Sequence, residues 1–321
     1  MVHHILVPLD GSALAECVLP HVVSIVDATG AEVTLLHVVE SPLTPRDDEA
    51  VDPIQWHLKK RESESYLDQV ANRLKEIGID AQQHVLEGSP AESIIGYATE
   101  IDADLIALST HGRSGLTGWN VSSVVQKILL RSYRSSLLIR AYNAPQKELA
   151  RISYQRLFVA LDRSTRAEYV LPLATSLAQR QKAALILATV VRKPEMPYRV
   201  PLSEEELDMV SRMIARATHE ASAYFENLDK QLAPQGIDIQ TRQTVSDNVT
   251  ASLMEMIAQE NVDLVLLVAH GYSGLPKWPY GSVANHLISF GTSHLLIMQD
   301  MSSEEAERSQ AEIAASEIKG H

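Results

Sequence analysis

A single cysteine, Cys17, serves the whole chain of 321 residues, which excludes an internal disulfide and a cluster of thiolate metal ligands. A reducing compartment suits such a chain. Cys17 lies in an apolar helical pattern and is expected to be a small core residue. Aromatic residues are scarce at 5%, so the cores must be built from Leu, Ile, Val and Ala. Basic residues are outnumbered, 28 Lys and Arg against 41 Asp and Glu, and the net charge is −13. That balance argues against non-specific binding to nucleic acid or to an anionic membrane. No apolar run reaches the length of a membrane span. Met1 leads through His3 and His4 into a strand without an apolar signal segment. The expectation is a cytoplasmic protein with neither nucleic acid nor membrane as a partner.

What is present is an internal repeat. Residues 5–40 and 157–192 align at a spacing of 152: Asp10 with Asp162, Glu16 with Glu168, Leu19 and Pro20 with Leu171 and Pro172. Residues 111–124, HGRSGLTGWNVSSV, align with 270–283, HGYSGLPKWPYGSV, at a spacing of 159. A net insertion of seven residues between the blocks accounts for the change. The period is far longer than that of a solenoid, so the repeat is a duplicated domain. The expected organisation is a first domain over residues 1–145, a second over 153–300, and an acidic tail over 301–321.

Each copy has the same grammar. In the first, strands are predicted over 5–9, 32–39, 81–86, 105–109 and 136–139. Helices are predicted over 13–27, 55–77, from Ser89 and Pro90 onward, and over 122–130. Leu58, Leu67, Val70 and Leu74 are available for the buried face of the second helix. The second copy places strands at 157–161, 184–191, 238–245, 264–268 and 294–298, with a long helix over 204–232. Strands alternating with helices imply parallel pairing with helices on both sheet faces. The predicted fold class is α/β: two doubly wound Rossmann-like parallel-sheet domains in tandem, with a flavodoxin-like strand order.

The chemistry-bearing segments follow a buried strand and precede a helix. In an open parallel sheet that is the carboxyl edge, where ligands bind. In the second copy Gly271 permits a close backbone turn, and Gly281 and Ser282 open a helix whose free N–H groups favour phosphate. Asp162 ends the first strand on the same edge and suits sugar hydroxyls, a base or a metal better than phosphate. The first copy has Asp10, Gly112, Ser122 and Ser123 in these places. A P-loop is excluded because Gly-Lys-Ser/Thr follows neither turn, and the dinucleotide fingerprint is missing after the first strands. Ser12 and Ser164 are expected to cap the segments that follow them.

These residues resemble the universal stress protein family, and the whole chain resembles its tandem-domain form over nearly all of residues 1–300. In that family the first strand ends in an Asp within a VPxDGS-like segment. The fourth runs into Gly-x-x-Gly, nine residues and Gly-Ser/Thr, which cradles ATP phosphates in the nucleotide-binding branch. The resemblance carries this glycine-serine motif to Ser109, Gly112, Ser122 and Ser123 in the first copy. In the second it falls on Val268, Gly271, Gly281 and Ser282. It carries the strand-end Asp to Asp10 and Asp162, and the adenine-contacting backbone to Val39, or its neighbour Val38, and to Val191. The first copy has lost the first and third glycines. The second has Val268 for the first, a bulky residue expected near ribose or phosphate.

The resemblance implies a stress-response protein that binds ATP or a related adenine nucleotide, with Mg²⁺ at the phosphates and the better site in the second copy. Efficient catalysis is not expected. A structural or signalling protein without nucleotide, and a slow ATPase, are the alternatives. Expected protein contacts are an intrachain pseudo-dimer through sheet edges or last strands, a homodimer of the whole chain, and an unidentified signalling partner.

Other residues have weaker claims. His111 and His270 are expected to line or support the loop rather than act as bases. His3 and His4 are adjacent on a strand and face opposite sides, and His286 and His294 lack ligand spacing. Trp119 and Trp278 can pack the loop or stack on a base. Arg113 and Arg163 are candidate phosphate donors, and Arg163 is alternatively a partner for Asp162. Pro276 and Pro279 stiffen the second loop. Residues 41–53 and 192–203 are candidate lids.

Overall fold

The computed structural model describes residues 2–40, 53–112, 121–141, 149, 151–194, 203–272 and 279–301. The first copy runs β1 (His4–Pro8), α1 (Leu19–Thr29), β2 (Glu32–Glu40), α2 (Pro53–Glu76), β3 (Ala81–Gly88), α3 (Pro90–Glu100), β4 (Leu105–Ser109), α4 (Ser123–Arg131) and β5 (Ser135–Ile139). The second runs β6 (Arg156–Ala160), α5 (Leu171–Gln181), β7 (Ala184–Arg192), α6 (Glu204–Leu232), β8 (Ile239–Ser246), α7 (Val249–Gln259), β9 (Leu264–Val268), α8 (Ser282–Phe290) and β10 (His294–Met298). The tail over 302–321 and most of the predicted boundary near 142–153 lie outside the described residues.

Among the described residues, ten strands form one sheet in the order β3-β2-β1-β4-β5-β10-β9-β6-β7-β8. Every pairing is parallel except that of β5 with β10. Each copy is the expected doubly wound parallel unit. Its order is 3-2-1-4-5, so the third strand lies outside the second, whereas a 2-1-3-4-5 sheet sets it next to the first. The order reverses between β1 and β4, and between β6 and β9, opening a crevice at the carboxyl edge of each copy.

Residues along each strand alternate between two cores. Ile5 and Val7 face α1 and α2, while Leu6 faces α3 and α4. The same division continues through the second copy, with α5 and α6 on one face and α7 and α8 on the other. Each core therefore spans both copies without a break.

Local chemistry moved some predicted boundaries. The helix expected from residue 13 begins as a 3-10 turn, Ala15–Val18, and becomes α-helical only at Leu19. Pro20 falls in that first turn, where its missing N–H costs nothing. Leu171 and Pro172 repeat the arrangement in α5. Ser12 and Ser164 cap these turns, each hydroxyl accepting from the N–H of Ala15 or Ala167 at 3.1 Å. Ser89 does not cap α3; its hydroxyl turns to the Glu92 carboxylate instead. Cys17 is half-buried against the core rather than within it.

Leu67, Val70 and Leu74 are buried as predicted, but Leu58 is 54% exposed. The reason is length. A helix of 24 residues spans about 36 Å, and the strands beneath it are shorter. The effect is larger in α6, whose 29 residues span about 43 Å. The nine residues of β7 span about 30 Å. Ala221, Phe225, Leu228 and Leu232 bury the second half of α6, and the first half overhangs the sheet.

The two copies meet where Leu138 pairs with Leu295, Leu137 with Leu296 and Ser136 with Ile297. The Arg140 N–H donates to Nδ1 of His294, and the Gln299 N–H donates to Oγ of Ser135, both at 3.0 Å. Each last strand thus clasps the start of the other. The Arg140 guanidinium reaches across to the carbonyls of Leu287 and Ile288, both at 2.8 Å, which end α8. On the neighbouring face His21 bonds through Nδ1 to the Tyr154 hydroxyl at 2.7 Å, with its ring 4.5 Å from that of His294. Ser176 in α5 donates to the Ala28 carbonyl in α1 at 2.6 Å.

Burial, reinforced by His294, holds His21 well below the ordinary imidazole range. Burial and the nearby Arg140 bring His294 down to about 4, against a smaller opposing effect of Asp263. Both rings are neutral in the fold at neutral pH, while an unfolded chain binds protons on them below about pH 6.5. Stability is therefore complete above that pH and is lost as pH falls toward 4. For His294 alone the loss approaches about 3 kcal/mol. Urea unfolding between pH 7.5 and 4.5 checks this, and His294→Asn should flatten part of the slope.

Candidate functional site

The expected site residues gather at the two carboxyl edges. Asp10 follows β1, and its Oδ1 accepts the Ser12 N–H at 2.9 Å. Its carboxylate lies directly against Gly112: a Cβ built there would stand 3.0 Å from the carboxyl carbon and closer to an oxygen. The second copy repeats this. Asp162 Oδ1 accepts from the Ser164 N–H at 3.0 Å and from its hydroxyl at 2.6 Å. Asp162 Oδ2 accepts the Tyr272 N–H, and a Cβ on Gly271 would be 3.3 Å from the carboxyl carbon. What these glycines admit is the strand-end carboxylate. Asp10 and Asp162 each bring the loop after the first strand to the loop after the fourth.

The helix starts differ between copies. Ser122 donates its N–H to the Thr110 carbonyl at 2.8 Å, and Gly281 donates to Ala269 at 2.7 Å. Ser122 then caps α4, its hydroxyl accepting the Val125 N–H at 3.4 Å. Gly281 supplies no side-chain cap to α8. Its φ of −70° suits any residue, but a Cβ there would stand 3.2 Å from the Ala269 carbonyl oxygen, a tight contact. Ser123 and Ser282 are exposed at the first turns. The lost first glycines are absorbed structurally. The Ser109 hydroxyl bonds the carbonyls of Leu14 and His111, at 2.7 and 2.9 Å. Val268 is 7% exposed and packs in the core with Leu161, Ala167 and Met298. Its side chain is thus part of the core at the end of β9. Val39 and Val191 have buried side chains at the ends of β2 and β7.

Arg163 does not take the expected role of a partner for Asp162. Its φ is 69°, and its Nη1 donates to the Ala217 carbonyl in α6 at 3.3 Å, tying the first loop to that helix rather than to Asp162. His111 and His270 are both 3% exposed, which suits loop support. They are anchored by opposite devices. Thr110 Oγ1 lies 3.0 Å from His111 Nδ1 and accepts the Ala141 N–H at 3.1 Å. In the second copy Ala269 and Asp300 stand at the matching positions. Asp300 Oδ1 accepts the His270 N–H at 3.2 Å and lies 2.9 Å from its Nδ1. Arg166 pairs with Asp300 Oδ2 at 2.8 Å by charge, without hydrogen-bond alignment.

Sequence reasoning missed Asp300, Arg166 and Tyr280. Tyr280 directly precedes Gly281 and is buried. Its hydroxyl lies 2.9 Å from Ser136 Oγ on β5, so the second copy's loop is anchored on the first copy's last strand. Gln299 Nε2 adds a bond to the Pro279 carbonyl at 3.0 Å. The available signal was the mismatch of Tyr280 with Val121 and of Asp300 with Ala141 across the repeat. Arg113, Trp119, Pro276 and Trp278 lie outside the described residues, as do the larger parts of both candidate lids. Among the described residues, no cluster of three His, Cys, Asp or Glu side chains suits a metal ion, and no helix is long and apolar enough to cross a membrane.

Comparison with known proteins agrees with this architecture. The profile of the universal stress protein family matches residues 1–140 and again 153–297. Universal stress protein MJ0531 of Methanocaldococcus jannaschii is 30% identical over 145 residues, which are 45% of this chain and 84% of that protein. Universal stress protein YxiE of Bacillus subtilis is 27% identical over 149 residues, 44% of this chain and all of that protein. A solved universal stress protein from Archaeoglobus fulgidus shares the fold across both copies, at a TM-score of 0.64 and 16% identity, covering 93% of this chain and 98% of its own. The chain belongs to the universal stress protein family and carries two of its domains in tandem.

Proposed function

We propose that the second copy binds an adenine nucleotide, ATP or a close relative, as a regulatory ligand. The observation that carries this reading is the uncapped start of α8 at Gly281, on the same carboxyl edge as the strand-end Asp162. An uncapped helix start offers N–H donors and a positive dipole end to phosphate. In the first copy the Ser122 hydroxyl already occupies one such donor. Ser282 would meet the phosphates. Asp162 is exposed and has lone pairs beyond those its backbone clasp uses, so it would meet ribose hydroxyls. The Val191 backbone would meet adenine, as the family resemblance implies. Mg²⁺ would be held through the phosphates and supply charge neutralisation there. A stress-response role in the cytoplasm accompanies this reading, in which ligand binding biases the loop conformation and hence partner contacts.

A second reading has its own support. Gly112 and Gly271 are fully accounted for by the carboxylates they admit, with no ligand required. A chain acting only through protein contacts would keep the same clasps.

Calorimetric titration of ATP with Mg²⁺ into the full chain separates the readings. One site per chain is expected. Gly281→Asp supplies a strong cap and places negative charge where phosphate would sit. Its Cβ would stand 3.2 Å from the Ala269 carbonyl oxygen, a crowding that offsets the cap, so stability should change little while ATP affinity falls at least about tenfold. Ser122→Asp should leave the affinity unchanged. Absence of binding by the wild-type chain, or equal loss in both variants, would sink the proposal.

Gly271→Ala drives a methyl group into Asp162 and should destabilise the fold by about 1–3 kcal/mol. Tyr280→Phe leaves Ser136 without its buried partner and should lower stability by about 1 kcal/mol. Thermal and urea melts of both variants check these values.

A further inference from the structure

The overhanging half of α6 carries a surface that the nucleotide reading does not use. Leu207, Met209 and Met213 are 54%, 60% and 52% exposed there. Leu207 stands five turns before Phe225, in line with the sheet-facing side, but Met209 and Met213 sit in a pattern of their own. Glu206, Met209, Met213, Arg216 and Glu220 follow one another at spacings of three, four, three and four. That spacing puts them on one flank of the helix as a continuous seam. This seam lies beside the line Ala221, Phe225, Leu228 and Leu232 that packs on the sheet, and it begins where the sheet stops.

The seam is self-complementary in one orientation only. If two copies of α6 cross antiparallel about a twofold at the level of Ser211, Met209 lies on the partner's Met213 and Glu206 faces the partner's Arg216. Both contacts then occur twice, as an isologous interface requires. A parallel pair would set Glu206 against Glu206 and Arg216 against Arg216. The charge gradient along the helix favours the same choice. Glu204, Glu205, Glu206 and Asp208 crowd its first turns, while Arg212 and Arg216 follow. The side chains are already ordered for it. Glu206 is fixed by a capping box with Ser203. Arg216 is held by Glu220 through Nε at 2.9 Å, and its guanidinium carries further donors.

From this geometry we infer that α6 pairs antiparallel with α6 of a second copy of the chain, making a homodimer through the Met209–Met213 seam. The contact covers about three helical turns, which places it among small, reversible interfaces. It lies at the far end of the sheet from the β5–β10 seam, so the dimer leaves the joint between the copies untouched.

Sedimentation velocity of the full chain across micromolar to submillimolar concentrations is the test. A monomer–dimer equilibrium is expected. Met213→Glu should weaken it at least about tenfold. Glu206→Arg and Arg216→Glu should each weaken it by setting like charges face to face. The two together restore an opposite-charge pair across the twofold and should recover most of the affinity. Far-ultraviolet circular dichroism confirms that α6 persists in each variant. A chain that stays monomeric throughout would overturn the inference. So would a dimer indifferent to Met213→Glu, or a double variant no tighter than its parents.

Discussion

The antiparallel pairing of β5 with β10 is the interaction on which the rest of the molecule depends. Every other strand pair is a parallel one inside a single copy. Without this pair each copy would end in an open edge strand with unpaired N–H and C=O groups, a standing template for aggregation. With it, two five-stranded sheets become one and two cores on each face become continuous. Because the pairing is antiparallel, the two carboxyl edges point in opposite directions. The Asp10 and Asp162 crevices open at opposite ends of the sheet, so no single ligand can bridge them.

Much of this architecture was legible in the residues. Branched-aliphatic runs such as Leu264–Val268 read as buried parallel strands because both their faces are covered. The long helix predicted over 204–232 is α6, and its start holds a full capping box of Ser203 with Glu206. What periodicity did not reveal was the reach of helices relative to strands. Leu58 satisfied the helical pattern yet lies beyond the sheet that would bury it. The 3-10 entries to α1 and α5 were equally hidden. Pattern reports which face is apolar, and only the proline position reports where the α-helical hydrogen bonds begin.

The candidate site was legible as a place and less so as a set of roles. Asp162 meets Gly271, and Gly281 bonds the carbonyl of Ala269, two residues before Gly271, on the edge where these strands end. Their division of labour differs. Gly271 makes room for a carboxylate, Val268 belongs to the core, and Arg163 belongs to α6. None of these follows from residue type alone, because each depends on a neighbour more than fifty residues distant. Tyr280 has its partner 144 residues away, on the other copy.

That bond also distinguishes one chain from two. In a homodimer, symmetry writes each substitution on both sides of the axis, so a tyrosine that needs a serine opposite must find one in each direction. Here Tyr280 meets Ser136, while the mirrored positions hold Val121 and Leu295. Fusion has released the two sides from having to mutate together. One half can take on a buttressing residue that the other lacks, and the covalent link keeps the pair matched at any dilution.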